Sequence, residues 1–206
     1  MQTDRNIVED PSTLRSGYAM PSERVANKVL PRLGRHMREF IALSPFVVVA
    51  TAGADGKVDA SPRGDVPGFV RVVDEQTLYL PDRPGNNRID SSNNLVTAPG
   101  IGMLFFVPGV NETLRINGRA RITFDQELRE SVAHDGKPAR AVWIVTIEEA
   151  FFHCGKALIR SDIWNPEKKI ERSSFASYAQ INADLFGADV KELEGYFADS
   201  YRTKLY

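Results

Sequence analysis

Cysteine and histidine are scarce in this sequence, and each shortage excludes a class of protein. Cys154 is the only cysteine among 206 residues, so no intrachain disulfide can form and a disulfide-stabilised secreted domain is excluded. The three histidines, His36, His134 and His153, do not show the spacing of zinc ligands. His153 and Cys154 are neighbours, which places their side chains on opposite faces of an extended strand, so we do not expect a catalytic thiolate–imidazole pair.

Long apolar runs and concentrated positive charge are also missing. The longest apolar runs, residues 46–50 and 101–107, are far too short to cross a bilayer, and residues 1–30 carry charges throughout without the apolar core of a signal peptide. The net charge is −1 and the basic residues are dispersed, unlike the basic surface of a nucleic-acid-binding protein. We therefore expect a cytoplasmic protein that binds neither nucleic acid nor membranes.

The sequence also lacks the motifs that identify the commonest nucleotide-dependent and hydrolytic enzymes. The phosphate-binding pattern G-x-x-x-x-G-K-S/T, the dinucleotide pattern G-x-G-x-x-G and the nucleophile pattern G-x-S-x-G are all missing. Asp59 and Asp65 are a conceivable carboxylate pair, but they flank a turn and need not converge. Neither a hydrolase nor a kinase is indicated.

What the sequence does contain is a series of short strand patterns joined mainly by turns. Six or seven strands leave little room for the helical crossovers that parallel strands need, so the sheet should be antiparallel and closed or nearly closed as a barrel. Residues 102–107 are almost wholly apolar, and we expect both faces of that strand to be buried. The predicted strands cover residues 45–51, 58–63, 69–73, 77–80, 102–107, 113–124 and 141–147.

Helical patterns flank these strands. Residues 22–41 carry apolar residues at helical spacing, interrupted at Pro31 and Gly34, and are expected to cover the sheet. Two further helices are predicted, at residues 125–133 with Asp125 as the cap and at residues 189–201 with Asp189 as the cap. The predicted fold class is mainly β (α+β), a six- to seven-stranded antiparallel barrel with flanking N- and C-terminal helices. We divide this single domain into an N-terminal arm and helices (1–43), the barrel (44–165) and a C-terminal helical extension (166–206).

Residues 77–95, TLYLPDRPGNNRIDSSNNL, combine a strand, a sharp turn and a helix start. Prolines and a glycine end the strand, because proline fixes φ and lacks an N–H while glycine permits positive φ. Backbone N–H groups at a helix start and the guanidiniums of Arg83 and Arg88 are what a phosphate-binding turn requires. The alternative is a solvated loop in which these arginines pair with Asp82 and Asp90.

The segment Ser61-Pro62-Arg63 interrupts another strand pattern in a similar way. A proline within a strand marks an edge or a bulge, where a ligand can reach backbone amides, and the adjacent hydroxyl and guanidinium can hold an anion. The alternative is a solvent-facing edge that uses proline and arginine against aggregation. Together with other cationic residues at strand ends, this segment outlines an anion-binding rim on an antiparallel barrel, without indicating a reaction.

Residues 44–164 resemble the pyridoxamine 5′-phosphate oxidase-like superfamily of FMN-binding split β-barrels, and within it a branch of uncharacterised FMN-binding proteins. The blocks that carry the resemblance are SPFVVVATAGADGKVDASPRGDVPGFVRVVD, LYLPDRPGNNRIDSSNNLV, GMLFFVPGVNETLRINGRARI and EEAFFHCGKALIRSDIW, with PRGD and PDRPGNNR as the specific motifs. The resemblance implies a split β-barrel and a homodimer with FMN at the interface, each site drawing on both protomers.

The resemblance also implies roles for individual residues. The strand at residues 58–63 lines the flavin and reaches its phosphate, and the turn after residues 77–80 binds that phosphate. The last strand brings an aromatic and a basic side chain towards the ring. Arg160 is implied as a contact for an anionic substrate. The implied cofactor-binding residues are Ser61, Arg63, Leu80, Pro81, Arg83, Asn87, Arg88, Thr113, Phe152 and Lys156.

The activity implied by the resemblance is that of an FMN-dependent oxidoreductase that transfers a hydride between FMN and a small molecule, with NAD(P)H as a candidate reductant. Two alternatives stay open, namely a non-enzymatic flavin-binding carrier or sensor, and a barrel that binds a deazaflavin or haem. The oxidase's tryptophan block and its arginine–histidine substrate motif are not reproduced, since the chain has Phe152-His153-Cys154 and Arg160-Ser161 instead. We therefore do not expect recognition of pyridoxamine phosphate.

Overall fold

A seven-stranded antiparallel sheet forms the centre of the computed structural model, which describes residues 7–206. Its strands are β1 (Phe46–Ala52), β2 (Val58–Gly64), β3 (Arg71–Val72), β4 (Thr77–Asp82), β5 (Gly100–Phe106), β6 (Thr113–Thr123) and β7 (Ala141–His153). They lie in the order β2-β1-β5-β6-β7-β4-β3, and all neighbours pair in antiparallel register. The predicted strand number and pairing are confirmed.

Helices lie before, between and after these strands. They are α1 (Pro11–Ser16), α2 (Glu23–Ala26), α3 (Arg35–Leu43), α4 (Asp90–Thr97), α5 (Gln126–Ser131), α6 (Lys156–Ser161), α7 (Tyr178–Phe186) and α8 (Val190–Thr203), with 3₁₀ turns at Pro166–Lys168 and Arg172–Ser174. Asp125 and Asp189 accept hydrogen bonds from backbone N–H groups of α5 and α8, so both predicted caps are confirmed. Residues 1–6 of the predicted N-terminal arm lie outside the described residues. Within residues 7–206, every helix is too short or too polar to span a membrane.

Alternation along the strands decides which side chains reach the core. In β5, Ile101, Met103 and Phe105 are buried, whereas the residues between them are only half-buried. The prediction that both faces of this strand are buried is therefore wrong, because an apolar side chain does not reveal whether another layer covers it. The last strand was also predicted too short, since β7 pairs with β6 along its length and continues to His153.

The main core lies between the curved sheet and α3. Trp143 and Phe105 are among its largest fully buried side chains. Met37, Phe40 and Ile41 pack onto it from α3, so this helix covers the sheet as predicted. The earlier part of the predicted apolar face stays largely exposed, because α2 is a single turn of four residues without a buried side chain.

β6 and β7 form a long hairpin whose register shifts at Asn117 and Gly118. A β-carbon at Gly118 would overlap the backbone carbonyl oxygen of Thr146 on β7, so the strands can approach this closely only at a glycine. At about 3.3 Å per residue, Thr113 and Thr123 at the two ends of β6 lie about 30 Å apart. The two ends of the hairpin therefore belong to different regions of the surface.

Candidate functional site

A cavity of about 490 Å³ opens where β2 and β4 end, beside the loop that leads into α4. This volume lies within the usual range for small-molecule sites. Leu80, another of the residues that the resemblance implicates, is buried in the core at the same end of β4. The predicted cofactor-binding residues that line the cavity are Ser61, Arg63, Pro81, Arg83 and Arg88.

The loop before α4 carries two residues in the left-handed backbone region. Asn87 has a φ of 60° and Ile89 a φ of 53°. For a β-branched residue this conformation is strained, and strain of this kind concentrates at ligand sites. α4 begins directly after Ile89, and no side chain of the described residues caps the N–H groups of its first turn. The predicted strand-to-helix turn is present, and these N–H groups are available to a ligand.

Arg83 and Arg88 both pair with carboxylates, but in different surroundings. Arg83 Nε donates to Asp65 Oδ2 at 2.8 Å, and the two side chains are 15% and 0% exposed. Arg88 Nε donates to Asp90 at 2.8 Å, but the Arg88 side chain is 73% exposed, where an ion pair contributes little and a ligand can replace it. Of the alternative pairing with Asp82 and Asp90, the Arg88–Asp90 contact is therefore present, whereas the partner of Arg83 is Asp65 instead of Asp82.

Asp65 is the centre of a polar cluster beside the cavity. Val66 N–H donates to its Oδ1 at 2.7 Å, Tyr206 OH donates to the same oxygen at 2.8 Å, and His134 Nδ1 lies 3.5 Å away. The Tyr206 ring also stacks on the His134 imidazole, with the ring centroids 3.9 Å apart. Burial alone would raise the pKa of Asp65, but these hydrogen bonds and Arg83 hold it below its usual value. Arg83 thus connects the loop to a buried anchor.

Arg63 lies on the cavity wall without such a partner. Within residues 7–206 no carboxylate lies at ion-pair distance, and the buried Nε has no hydrogen-bond partner, while one terminal nitrogen donates to the Pro62 carbonyl at 3.3 Å. The guanidinium lies over Trp143, 5.2 Å from the ring centroid. Burial raises the pKa of the nearby Asp82, against the opposing charges of Arg63 and Arg140. Arg63 therefore has donors and charge available for an anion.

Ser61 belongs to a small hydrogen-bonded group with Asp59 and Ser91. Ser61 Oγ lies 3.1 Å from Asp59 Oδ2 and 3.3 Å from Ser91 Oγ, and Ser91 also donates to Asp59. Because an ionised carboxylate only accepts hydrogen bonds, both hydroxyl protons point to it. Asp59 and Asp65 have different partners, so they do not form a carboxylate pair. Across residues 7–206, no three His, Cys, Asp or Glu side chains are grouped to hold a metal ion.

A second cavity of about 410 Å³ adjoins the first across Arg63, Asp82 and Ile89. Arg140, which the sequence analysis did not single out, lies on its wall and donates from Nη1 to Asn87 Oδ1 at 2.6 Å. Asn87 therefore orients Arg140 as well as lining this cavity. A basic residue directly before a strand is too common a pattern to have identified Arg140 from the sequence.

The remaining predicted site residues lie at the opposite end of the β6–β7 hairpin. Thr113 begins β6 and is buried, and Phe152 near the end of β7 packs edge-on against Phe40, with the ring centroids 5.4 Å apart. Lys156 and Arg160 are exposed on α6. One chain therefore separates the predicted residues into a group at the cavities and a group at the other end of β6 and β7 that lines neither cavity.

Comparisons with solved structures find similar folds at low sequence identity. HupZ of Group A Streptococcus is 18% identical, with a TM-score of 0.48, and the match covers 58% of this chain and 93% of HupZ. A Clostridium acetobutylicum protein related to general stress protein 26 is 18% identical, with a TM-score of 0.44 and coverage of 57% and 85%. An F420 reductase is 14% identical, with a TM-score of 0.41 and coverage of 59% and 98%.

Family membership comes from the sequence. No curated protein matches the chain. The sequence model of the family described as pyridoxamine 5′-phosphate oxidase, however, matches residues 33–154, which is more than half of the chain. This match includes all seven strands, the loop before α4 and the residues that line both cavities. The chain therefore belongs to the pyridoxamine 5′-phosphate oxidase family, and its sheet is the split β-barrel of that family.

Proposed function

We propose that this protein binds FMN in the cavity at the ends of β2 and β4 and acts as an oxidoreductase on a small molecule. The observation that carries the proposal is Arg63, whose buried Nε is unpartnered within the described chain and whose side chain faces a cavity of ligand size. Membership of a family of flavin- and deazaflavin-binding proteins supports a flavin as the ligand.

The chemistry of the cavity fits a phosphorylated cofactor. FMN carries a phosphate dianion, and burying it requires charge-assisted hydrogen-bond donors. Arg63, Arg88 and the N–H groups of the first turn of α4 would hold the phosphate, and Ser61 would accept a hydrogen bond from the ligand. Arg83 would act indirectly, by fixing the loop to Asp65. Bound FMN would supply two-electron redox chemistry, while the protein would orient it and set its electrostatic surroundings.

A homodimer is part of this proposal. Thr113, Phe152, Lys156 and Arg160 line neither cavity of one chain, so in this proposal a second protomer supplies them to the flavin. Each FMN would then lie at the interface, between the cavity of one protomer and these residues of its partner. NAD(P)H is the reductant to test first. The expected location is the cytoplasm, because a single cysteine cannot form an intrachain disulfide.

The visible absorption spectrum of the purified protein, recorded before and after adding FMN and desalting, tests the cofactor. A two-band flavin spectrum at about one flavin per chain is the expected result. A colourless protein that retains no FMN would overturn the proposal, and a haem or deazaflavin spectrum would assign the barrel to that ligand. Reduction of bound FMN by NADH or NADPH, followed by its reoxidation, would distinguish an enzyme from a carrier or sensor.

Arginine substitutions test the position of the cofactor. Arg88→Ala should weaken FMN binding by about tenfold or more, since one charge-assisted contact contributes about 1.5–3 kcal/mol. Arg63→Gln should have an effect of similar size, because it removes the unpaired guanidinium. Arg24→Gln, on the exposed α2 helix, is the matched control. Dissociation constants from flavin fluorescence quenching that are unchanged in both cavity variants would remove these arginines from the site.

A further inference from the structure

The second cavity differs chemically from the first. Val96, Ile122 and Phe124 form an apolar part of its wall, and Val96 and Phe124 are 77% and 75% exposed. Single exposed apolar residues are common on protein surfaces, but a group of them around a concave space is typical of a ligand site. This wall is therefore suited to the apolar part of a small molecule.

Arg140 lies on the same cavity wall, held by hydrogen bonds but without an ion-pair partner among the described residues. Its guanidinium donates to Asn87 Oδ1 at 2.6 Å, and its backbone N–H donates to the Asp82 carbonyl at 2.9 Å. No carboxylate in the described part of the chain lies at ion-pair distance from it. The amide oxygen of Asn87 is neutral, so it orients the guanidinium without neutralising it. An oriented guanidinium with free donors is suited to an anionic group.

Asp82 separates Arg140 from Arg63. Asp82 lines both cavities, and no donor among residues 7–206 hydrogen-bonds to its carboxylate group. An ionised carboxylate only accepts hydrogen bonds, so it attracts an N–H or O–H group of a ligand and repels an anion placed between the arginines. The two cavities therefore present two separate anion positions, at Arg63 and at Arg140.

We propose that the second cavity binds a small organic anion with an apolar body, whose anionic group contacts Arg140 and whose body lies against Val96 and Phe124. This inference rests on the proposed function and deepens it, because such a molecule would be the substrate bound beside the flavin. A hydroxyl or N–H group close to the anionic group is recognised by Asp82. A neutral molecule of the same shape makes no charge-assisted hydrogen bond to Arg140 and binds more weakly.

Equilibrium dialysis with two aromatic probes tests the site. The first is 8-anilinonaphthalene-1-sulfonate, and the second is N-phenyl-1-naphthylamine, which has a similar body without the charge. Arg140→Gln should weaken binding of the sulfonate by about tenfold and change binding of the neutral probe by less than about twofold. Phe124→Ser should weaken both by about fivefold or more, because it removes part of the apolar wall. Val58→Ser, at an exposed apolar position on β2 outside the cavity, should change neither.

Three results would overturn the inference. The first is sulfonate binding that is unchanged in Arg140→Gln and in Phe124→Ser. The second is equally weakened binding of both probes in Arg140→Gln, which would indicate a structural role for Arg140. The third is a wild-type dimer that binds neither probe and becomes monomeric with Phe124→Ser, because the apolar wall would then be a subunit contact.

Dialysis with and without FMN separates this inference from the proposed function. If the expected probe pattern appears in a protein that retains no FMN, the flavin proposal fails and the second cavity still binds organic anions. If FMN binds but the probe pattern is missing, the flavin proposal stands and this inference fails.

Discussion

Replacing Arg83 with methionine tests whether this residue stabilises the fold or binds the ligand. Its ion pair with Asp65 is buried, with side-chain exposures of 15% and 0% and an Nε–Oδ2 distance of 2.8 Å. Removing one partner of a buried pair typically costs about 3–5 kcal/mol. Because Tyr206 and Val66 would still donate to Asp65, we expect Arg83→Met to lower the free energy of unfolding by about 3 kcal/mol.

Equilibrium unfolding in urea measures this loss. With a slope of about 2 kcal/mol per M, it corresponds to a midpoint about 1.5 M lower. Asp65→Asn and the double variant complete a double-mutant cycle, and we expect a coupling energy of about 2 kcal/mol at pH 7. The folded-state pKa of Asp65 lies below the ordinary value of 3.8, so its stabilising effect is present above that pH and is lost as the pH falls through the lower, folded-state pKa. The coupling should therefore disappear in acid.

Two results would refute a structural role for Arg83. One is a change in the free energy of unfolding of less than about 0.5 kcal/mol together with FMN binding weakened by about tenfold, which would make Arg83 a phosphate ligand. The other is strict additivity in the cycle, which would mean that the buried pair contributes no net coupling.

Two further substitutions test the register of the hairpin and the charge in the cavity wall. Gly118→Ala should destabilise the protein by about 3 kcal/mol or more in urea unfolding, because its β-carbon would overlap the Thr146 carbonyl. Gly100→Ala is the control, because nothing lies near its new β-carbon, and it should cost less than about 1 kcal/mol. Equal losses in the two variants would contradict the close approach of the strands. Asp82→Asn should stabilise the ligand-free protein at pH 7, because the raised pKa of Asp82 means that its charged form opposes folding. This gain in the free energy of unfolding should shrink as the pH falls towards 3.8, where Asp82 itself becomes neutral. A gain independent of pH would point to a cause other than this charge.

The loop before α4 shows how far residue types could predict the site. Prolines, glycine, asparagines and arginines in one stretch indicated a strand-to-helix turn with anion-binding chemistry, and the structure places that turn on a cavity. The partners of its arginines were only partly predictable. Arg88 pairs with Asp90 two residues away, within reach of a local argument. Arg83 pairs with Asp65 eighteen residues away, and β3 and β4 lie between them in the sequence.

Local patterns along the chain were enough to predict the seven strands and the caps of α5 and α8, because alternation and capping depend on neighbours along the chain. The sequence did not determine that one face of β5 is only half-buried, because burial depends on which layer covers a strand. Nor did it reveal the contact of Arg140 with Asn87, 53 residues away, or of Tyr206 with Asp65, 141 residues away. These contacts depend on how the sheet packs, which brings together residues whose separation in the sequence carries no pattern.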